Sequence, residues 1–298
     1  MSTHLPPPRI AAIHDLSCLG RCALTVILPT LSVMGYQVVP IPTVLLSTHT
    51  GGFQDIYIRD LTPDMEQITD HFSKLGTTFR AIYTGFLGNA EQIESVDAII
   101  DRFGDTPDES GNTPLILIDP VMGDDGALYS TYTRELVRGI KRLSRRATVL
   151  TPNLTEACLL TDMPYQSTEK MTVGEAIAYA EALLQDLTKM TNARIVITGI
   201  HLENGDVANL GRDEDGKQFL VRRPHNGCTY PGTGDLFASV LLGELLSGNR
   251  FEQACEKAAD FTGEVICHSR TLSTEPRYGV ALEQHLGRLV KSSERTEP

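Results

Sequence analysis

The chain of 298 residues is 41% hydrophobic and 21% charged, so it can form a sizeable core and lacks the composition of a disordered protein. Its formal net charge of -12 argues against nucleic acid and anionic membrane surfaces as partners, because both are negatively charged. The six cysteines show neither zinc-site spacing nor the density of a disulfide scaffold, and no export signal or apolar run of membrane-spanning length is apparent. These features predict a cytoplasmic protein with reduced thiols.

Short apolar segments rich in β-branched residues alternate along the chain with longer segments of helical periodicity. The predicted strands are Ile10–His14, Val38–Pro42, Ala81–Gly85, Leu115–Asp119, Thr148–Leu150 and Ile195–Gly199. The predicted helices are Ala23–Met34, Asp64–Leu75, Glu91–Phe103, Val173–Leu187, Asp235–Leu246 and Phe251–Cys267. We also expect a surface loop over 103–114 and a β-hairpin over 206–224 that turns within Gly211–Gly216. The alternation predicts one α/β domain over 1–298, a mostly parallel central sheet with helices on both faces, and flexible tails at about 1–8 and 291–298.

The most informative motif is Pro231-Gly232-Thr233-Gly234-Asp235, which runs directly into a helical pattern. Glycines let the backbone turn tightly and aim successive N–H groups at one point, and a helix N-terminus adds partial positive charge. Such a turn can hold a phosphoryl group while Asp235 takes the proton of an attacking hydroxyl. The alternative is that Asp235 only caps a helix after a glycine turn.

Two acidic motifs follow predicted strands, where ligands of open α/β sheets bind. Asp119 ends an apolar strand and is a candidate magnesium ligand, with a turn-forming Asp-Pro as the alternative. Asn153 and Glu156 have the spacing of a helix capping box, a role compatible with a carboxylate that faces the strand ends.

Other candidates are less specific. His49 and Thr50 precede a glycine pair after another strand, although a lone histidine is more often an ordinary loop residue. Phe86 can stack on a ring or belong to the core, and Cys228 fits a small apolar filler better than a nucleophile. The sequence contains neither the G-x-G-x-x-G fingerprint after its first strand nor G-x-x-x-x-G-K-[ST], which disfavours Rossmann dehydrogenases and P-loop kinases.

In chain order, the segment Asp119–Gly123, the segment Thr151–Glu156 and the segment Gly232–Asp235 resemble the ribokinase-like superfamily, and within it the pyridoxal/pyridoxamine kinases. The resemblance covers nearly the whole chain, including Thr43–Gly52 and Tyr83–Gln92. It implies a three-layer ribokinase-like fold without a large lid. It also implies ATP-dependent phosphorylation of the 5′-hydroxymethyl group of pyridoxal, pyridoxamine or pyridoxine, with Mg²⁺, a monovalent cation as a further candidate, and assembly as a homodimer.

The resemblance assigns roles to individual residues. Asp235 would accept the hydroxyl proton, and the amides of Gly232, Thr233 and Gly234 would stabilise charge on the transferred phosphoryl group. Magnesium would be held by Asp119 and Glu156, partly through water. The residues implied at the nucleotide are Asn153, Thr198, Gly199, Pro224, Thr229, Gly232 and Gly234. The residues implied at the vitamer are Asp15, Ser47, His49, Thr50, Phe86 and Asp235.

Asp15 departs from the family pattern, because many pyridoxal kinases have a serine at the corresponding place. A carboxylate there favours a cationic amine over a neutral aldehyde, which predicts a preference for pyridoxamine. Three alternatives share this fold: a hydroxymethylpyrimidine kinase, a non-catalytic ligand-binding protein and a sugar kinase. Intact motifs argue against the second, and the short spacing from Gly35 to Ser47 leaves little room for the lid of the third.

Overall fold

The computed structural model describes residues 6–225, 227–273 and 275–290. Its strands are β1 Arg9–Leu19, β2 Gln37–Thr48, β3 Ile58–Asp60, β4 Ala81–Thr84, β5 Leu115–Ile118, β6 Gly123–Asp124, β7 Ala127–Leu128, β8 Val149–Leu150, β9 Arg194–His201, β10 Asp206–Arg212 and β11 Gln218–Pro224. Its α-helices are α1 Leu24–Val33, α2 Thr62–Lys74, α3 Glu91–Phe103, α4 Arg134–Leu143, α5 Leu154–Thr161, α6 Val173–Met190, α7 Thr233–Leu246 and α8 Phe251–Thr271. Short 3-10 turns lie at Ser144–Arg146, Pro276–Tyr278 and Leu286–Leu289. Of the predicted tails, residues 1–5 and 291–298 lie outside the described residues.

Nine strands form one sheet in the order β11-β10-β9-β8-β5-β4-β1-β2-β3. The six strands from β9 to β2 in that order pair in parallel, whereas β10, β11 and the short β3 are antiparallel additions at the two edges. The α/β class and the mostly parallel sheet predicted from the sequence are therefore confirmed. The predicted hairpin is present as β10 and β11, which span Asp206 to Pro224.

Helices cover both faces of the sheet, which is why its central strands are apolar on both sides. Along β1, Ala11 and Ile13 face the core formed with α3, α4, α5 and α6, while Ile10 and Ala12 face the core formed with α1, α7 and α8. All four side chains are fully buried. Among the described residues, no helix has both the length and the apolar character of a membrane span.

The structure corrects several predicted elements. The first strand was predicted to end at His14, but β1 continues to Leu19 through an irregularity between His14 and Leu16, because β2 also continues to Thr48 and supplies hydrogen-bonding partners. Helix α4 and the small strands β3, β6 and β7 were not predicted, and of α5 only the start was predicted, by the capping-box spacing of Asn153 and Glu156. Helix α5 has eight residues, six of them buried, so it lacks the polar face that marks an amphipathic helix in sequence.

Candidate active site

A cavity of about 890 Å³ lies at the carboxyl ends of the parallel strands, beside the N-terminus of α7. It is the place where ligands of open α/β sheets bind. The structure brings all but one of the predicted site residues to this cavity. Those that line it are Asp15, His49, Thr50, Phe86, Asp119, Asn153, Glu156, Thr198, Gly199, Pro224, Thr229, Gly232, Thr233, Gly234 and Asp235.

The glycine motif turns the chain into α7. Gly232 has φ +84°, and a Cβ there would lie 2.2 Å from the carbonyl oxygen of Arg21, so only glycine fits. The first intrahelical hydrogen bond of α7 is donated by the amide of Leu236 to the carbonyl of Gly232 at 2.9 Å. The N–H groups of Thr233, Gly234 and Asp235 precede it and have no acceptor within the helix. This loop therefore presents the cavity with backbone donors and with the positive end of the helix dipole.

Asp235 lies in the first turn of α7, and its Oδ2 accepts a hydrogen bond from the amide of Ala23 at 2.7 Å. Burial raises the pKa of its carboxyl to about 6, against the partial opposition of that hydrogen bond. At neutral pH the carboxylate is thus still ionised, yet it is more basic than an ordinary aspartate. These properties suit a group that removes a proton from a hydroxyl.

Asp119 directly follows β5 and is only 8% exposed. Burial, and then the negative charge of Asp235, raise the pKa of its carboxyl. One carboxylate oxygen of Asp119 lies 4.0 Å from the place that a Cβ on Gly234 would occupy, which puts Asp119 across from the glycine loop. Nearby, the buried hydroxyl of Thr151 lies against the Asp119 carboxyl and lowers its pKa, in opposition to those two effects. A buried carboxylate with a hydroxyl beside it offers suitable oxygen ligands for a hard cation.

Asn153 and Glu156 form the predicted capping box at the start of α5. The side chain of Asn153 accepts from the amide of Glu156 at 2.8 Å, and Glu156 Oε2 accepts from the amide of Asn153 at 2.8 Å. Glu156 Oε1 accepts from the amide of Met122 at 3.1 Å, and the Asn153 amide group donates to the carbonyl of Gly123. Burial and the charge of Asp119 raise the pKa of the Glu156 carboxyl. Each carboxylate oxygen keeps a lone pair for water, so the capping role and a solvent-mediated metal role are compatible.

The cavity is strongly acidic. Its one Lys or Arg among the described lining residues is Arg223, which is already ion-paired with Asp260. The acidic lining residues are Asp15, Asp119, Asp124, Asp125, Glu156, Glu169 and Asp235. Within the part of the chain that the structure describes, no group of three His, Cys, Asp or Glu side chains is arranged as a complete metal site. A cation held by one or two carboxylates, with water and phosphate oxygens as the other ligands, fits this arrangement, as is usual for Mg²⁺.

One end of the cavity is closed by Asp15 and Phe86. Asp15 is 5% exposed and accepts a hydrogen bond from the hydroxyl of Ser17 at 2.8 Å. Burial raises the pKa of its carboxyl to about 7, with a further increase from Asp235 that the Ser17 hydrogen bond opposes. The ring of Phe86 packs edge-to-face on Tyr132 at 5.7 Å and lines the cavity. This end combines an aromatic wall with an acidic group, an arrangement suited to a small polar ring.

Ser47 is the predicted site residue that does not line the cavity. It lies in β2, and its hydroxyl accepts a hydrogen bond from the amide of Tyr57 at 2.9 Å. Successive side chains of a strand point to opposite sides, so its neighbour Leu46 faces the cavity instead. The prediction for Ser47 depended on the strand ending earlier, and its direct contact with a ligand is not supported.

The opposite end of the cavity is formed by Thr198, Gly199, Pro224 and Thr229, as predicted for the nucleotide. The amide of Gly199 donates to the side chain of Asn209 at 3.3 Å. Residues that the sequence did not indicate also lie here: Asn209 of β10, and the rings of His201 and His225, which pack edge-to-face at 4.8 Å. The available signal for Asn209 was a single buried polar residue in an otherwise apolar strand. No local sequence feature indicates that His201 and His225 lie side by side.

Comparison with known proteins gives consistent matches over this whole arrangement. A family model described as phosphomethylpyrimidine kinase matches residues 20–278. A Bacteroides thetaiotaomicron protein crystallised with pyridoxal is 35% identical, with a TM-score of 0.85 and 96% coverage of both chains. Pyridoxal kinase from Lactobacillus plantarum is 28% identical, with a TM-score of 0.83 and coverage of 95% of this chain and 96% of that one.

Among curated proteins, a thiamine biosynthesis multifunctional protein of Corynebacterium glutamicum is 26% identical over 296 residues, which is 98% of this chain. The chain spans 36% of the length of that larger protein. Together, the matches confirm the resemblance that the three ordered motifs predicted.

Proposed function

Since the chain belongs to the phosphomethylpyrimidine kinase family, we propose that it transfers a phosphoryl group from ATP to the hydroxymethyl group of a vitamin B6 vitamer. The observation that carries the proposal is the arrangement at the start of α7. There, Asp235 stands beside backbone amides without helical acceptors and across from Asp119. A base, an anion-binding loop and a cation-binding carboxylate are the three parts that phosphoryl transfer needs.

Asp235 is the proposed base. An acceptor hydroxymethyl group placed against its carboxylate would lose its proton to Asp235 as the oxygen attacks the terminal phosphorus of ATP, and the bond from that phosphorus to the bridging oxygen would break to release ADP. The amides of Thr233 and Gly234, with the turn at Gly232, stabilise the negative charge that develops on the transferred group. The amide of Ala23 orients the Asp235 carboxylate through its 2.7 Å hydrogen bond, so the base is fixed before the acceptor arrives.

Mg²⁺ would fit the acidic centre of the cavity, where Asp119 would supply an oxygen ligand, with the Thr151 hydroxyl beside it, and Glu156 would act through water. When bound there, the ion neutralises charge on the phosphates of the nucleotide. Without a cation, the buried carboxylates would repel ATP; burial, and then the charge of a neighbouring carboxylate, raise the pKa values of Asp119 and Glu156.

The nucleotide is proposed to occupy the end of the cavity formed by Thr198, Gly199, Pro224 and Thr229. Asn153 contributes by fixing the start of α5, since its side-chain oxygen and amide group are both engaged by backbone partners. Binding there brings the terminal phosphate toward the glycine loop, with Asp235 between it and the acceptor.

The acceptor end supports a B6 vitamer, and two similar proteins point the same way: one was crystallised with pyridoxal and the other is a pyridoxal kinase. The thiamine biosynthesis relative and the family description favour a second candidate, the hydroxymethyl group of a pyrimidine. Both acceptors are nitrogen heteroaromatic rings with a hydroxymethyl group, so they make the same demand on Asp235. The side chains that can separate them are Asp15 and Phe86.

Asp15 is proposed to favour an acceptor that carries an amine. Its carboxylate is buried, has Ser17 as its hydrogen-bond donor and lies within electrostatic reach of Asp235. A cation next to it would relieve both the burial of charge and the repulsion between the two acids. The aminomethyl group of pyridoxamine, which neighbours the reacting hydroxymethyl group on the ring, satisfies this requirement, whereas the aldehyde of pyridoxal does not.

The test is ADP release with ATP and magnesium against pyridoxal, pyridoxamine, pyridoxine and hydroxymethylpyrimidine, for the wild type and Asp15→Ser. The proposal expects turnover of the vitamers, with pyridoxamine preferred by the wild type and the preference lost in the variant. Turnover of hydroxymethylpyrimidine alone would favour the second candidate function over the first. Equal use of pyridoxal and pyridoxamine by both proteins would remove the role given to Asp15.

A further inference from the structure

The segment Glu275–Leu282, which we call the C-terminal strap, contacts the turn 20–23 and the loop 49–53, both of which contribute residues to the cavity lining. It is anchored at its far end, where Val280, Ala281 and Leu282 are all less than 9% exposed. The amide of Ala281 also donates to the buried hydroxyl of Ser269 in α8 at 2.8 Å. Because one end of the strap is anchored in the core, the rest of the strap can restrain the loops that it contacts.

The strap first touches the turn between β1 and α1. The amide of Arg21 donates to the carbonyl of Tyr278 at 3.1 Å, and Arg21 forms a parallel bridge with Gly279. The carbonyl oxygen of Arg21 lies 2.3 Å from the place of a Cβ on Gly279 and 2.2 Å from that of a Cβ on Gly232. The Arg21 carbonyl is thus packed between a glycine of the strap and a glycine of the anion-binding loop. Two residues later, Ala23 donates the hydrogen bond that orients Asp235.

The strap also touches the loop after β2. His49 Nε2 lies 2.6 Å from the carbonyl oxygen of Arg277, and the amide of Gly51 donates to His49 Nδ1 at 3.1 Å. Because Nδ1 accepts, the proton of the neutral ring is on Nε2, which donates to Arg277. His49 therefore links its own loop to the strap with both ring nitrogens.

The Arg277 side chain strengthens the same junction. Its guanidinium donates to the carbonyl of Gly52 at 3.3 Å and is ion-paired with Glu275 at 2.7 Å. The guanidinium carbon lies 5.1 Å from the centre of the Phe53 ring and 5.6 Å from that of Tyr278, within the range of cation–π contact. The strap, the loop 49–53 and the turn 20–23 are consequently joined into one wall, which presents His49 and Thr50 to the cavity on one side and Ala23 on the other.

We propose that the C-terminal strap is a positioning element for the acceptor site, with His49 and Arg277 as positioning residues. The strap sets the spacing between the loop 49–53 and the turn 20–23. Through Ala23 it thereby sets the place of the acceptor relative to Asp235. His49 acts as a neutral bridge between two backbone groups, and its role does not require it to touch the acceptor.

Two isosteric substitutions separate this role from a direct one. Gln in His49→Gln can place an amide donor where Nε2 lies, and so keeps the hydrogen bond to the strap, while Asn in His49→Asn reaches only the position of Nδ1. His49→Gln loses the hydrogen bond from the Gly51 amide. This loss costs less than loss of the bond to the strap, because Gly51 is exposed to water. We expect KM for the acceptor to be roughly 3- to 10-fold higher in His49→Asn than in His49→Gln, the range of one hydrogen bond, with KM for ATP unchanged in both.

The second measurement does not use activity, so it tests the strap even if the proposed kinase reaction fails. Hydrogen–deuterium exchange of the ligand-free protein is compared for wild type, Arg277→Ala and the control Arg288→Ala, which breaks an ion pair with Glu264 in the same C-terminal region but touches neither loop. We expect faster exchange in peptides covering 49–53 and 20–23 for Arg277→Ala and wild-type exchange there for Arg288→Ala. Equal kinetic damage from both His49 variants, or exchange unchanged by Arg277→Ala, would overturn the proposal.

Discussion

Replacing His14 by leucine should remove a pH dependence of stability that the wild-type protein has. His14 is fully buried, its ring packs 4.3 Å from that of Tyr83, and neither ring nitrogen has a hydrogen-bond partner within the described residues. Burial lowers the pKa of this histidine from 6.5 to about 3. The ring is therefore neutral in the folded protein at every pH at which the protein works.

The sign and size of the effect follow from proton linkage. Between pH 6.5 and about 3 the unfolded chain binds a proton at His14 that the folded protein does not bind, so stability falls as pH falls through this window. Each pH unit in the window costs about 1.4 kcal/mol, which gives a loss of about 2 kcal/mol between pH 7 and pH 5. Asp15 and Asp235 act in the opposite direction, because burial raises their pKa values and the folded state then binds more protons.

The contribution of those carboxylates cancels when the free energy of unfolding of His14→Leu is subtracted from that of the wild type at each pH. Urea unfolding at pH 7, 6 and 5 should show the free energy of unfolding of the wild type falling, relative to the variant, by about 2 kcal/mol over the series. His71→Gln is the matched control, since His71 is an exposed histidine on α2. If the difference in the free energy of unfolding between wild type and His14→Leu does not change with pH, His14 does not have the lowered pKa from which the prediction is made.

Three further predictions concern the proposed reaction. Gly232→Ala should lower kcat by about 100-fold or more, because a Cβ 2.2 Å from the Arg21 carbonyl must displace the anion-binding loop, and misplacement by about 1 Å is sufficient for such a loss. Gly248→Ala, with φ +87° and open space around its Cβ, should lose stability by about 1–2 kcal/mol and keep its kcat, so equal kinetic damage in both would contradict the steric argument. Asp119→Asn should raise the Mg²⁺ concentration needed for half-maximal activity by about tenfold or more, as measured by magnesium titration, and an unchanged requirement would place the ion elsewhere. Finally, kcat/KM should fall as pH decreases through about 6, where Asp235 becomes protonated, and a profile flat down to pH 5 would exclude it as the base.

The sequence predicted most of the residues that meet at the cavity, because the carboxyl ends of parallel strands lie at one edge of the sheet. Asp119 and Asp235 are 116 positions apart in the chain, yet both follow from this rule together with the glycine turn. Ser47 does not line the cavity, because the direction of a side chain depends on where a strand ends, and β2 continues through Thr48. A shift of one residue in a strand exchanges its two faces, so Leu46 lines the cavity instead.

The strap shows the other limit of sequence reasoning. Its contacts join Arg277 to His49 and Gly279 to Arg21, more than 220 positions apart in each case, and they are made largely through backbone carbonyls. Backbone contacts leave no residue-type signal, and Gly279 by itself reads as an ordinary turn glycine. Only the capping box of helix α5 was predicted, and not its length, since burial of most of its residues removes the alternation of polar and apolar residues that marks a helix.

The variant Asp235→Asn tests whether Asp235 is the base of the proposed reaction, with ADP release and calorimetric binding measured on the same preparation. The substitution keeps the shape of the side chain and its capacity to accept the hydrogen bond from Ala23, but removes the basic carboxylate. The account predicts that kcat falls by about 10²- to 10⁴-fold while the Kd values for ATP with magnesium and for the acceptor stay within a few-fold of wild type. Near-wild-type turnover by Asp235→Asn would contradict the account, because the proton would then have to leave by another route.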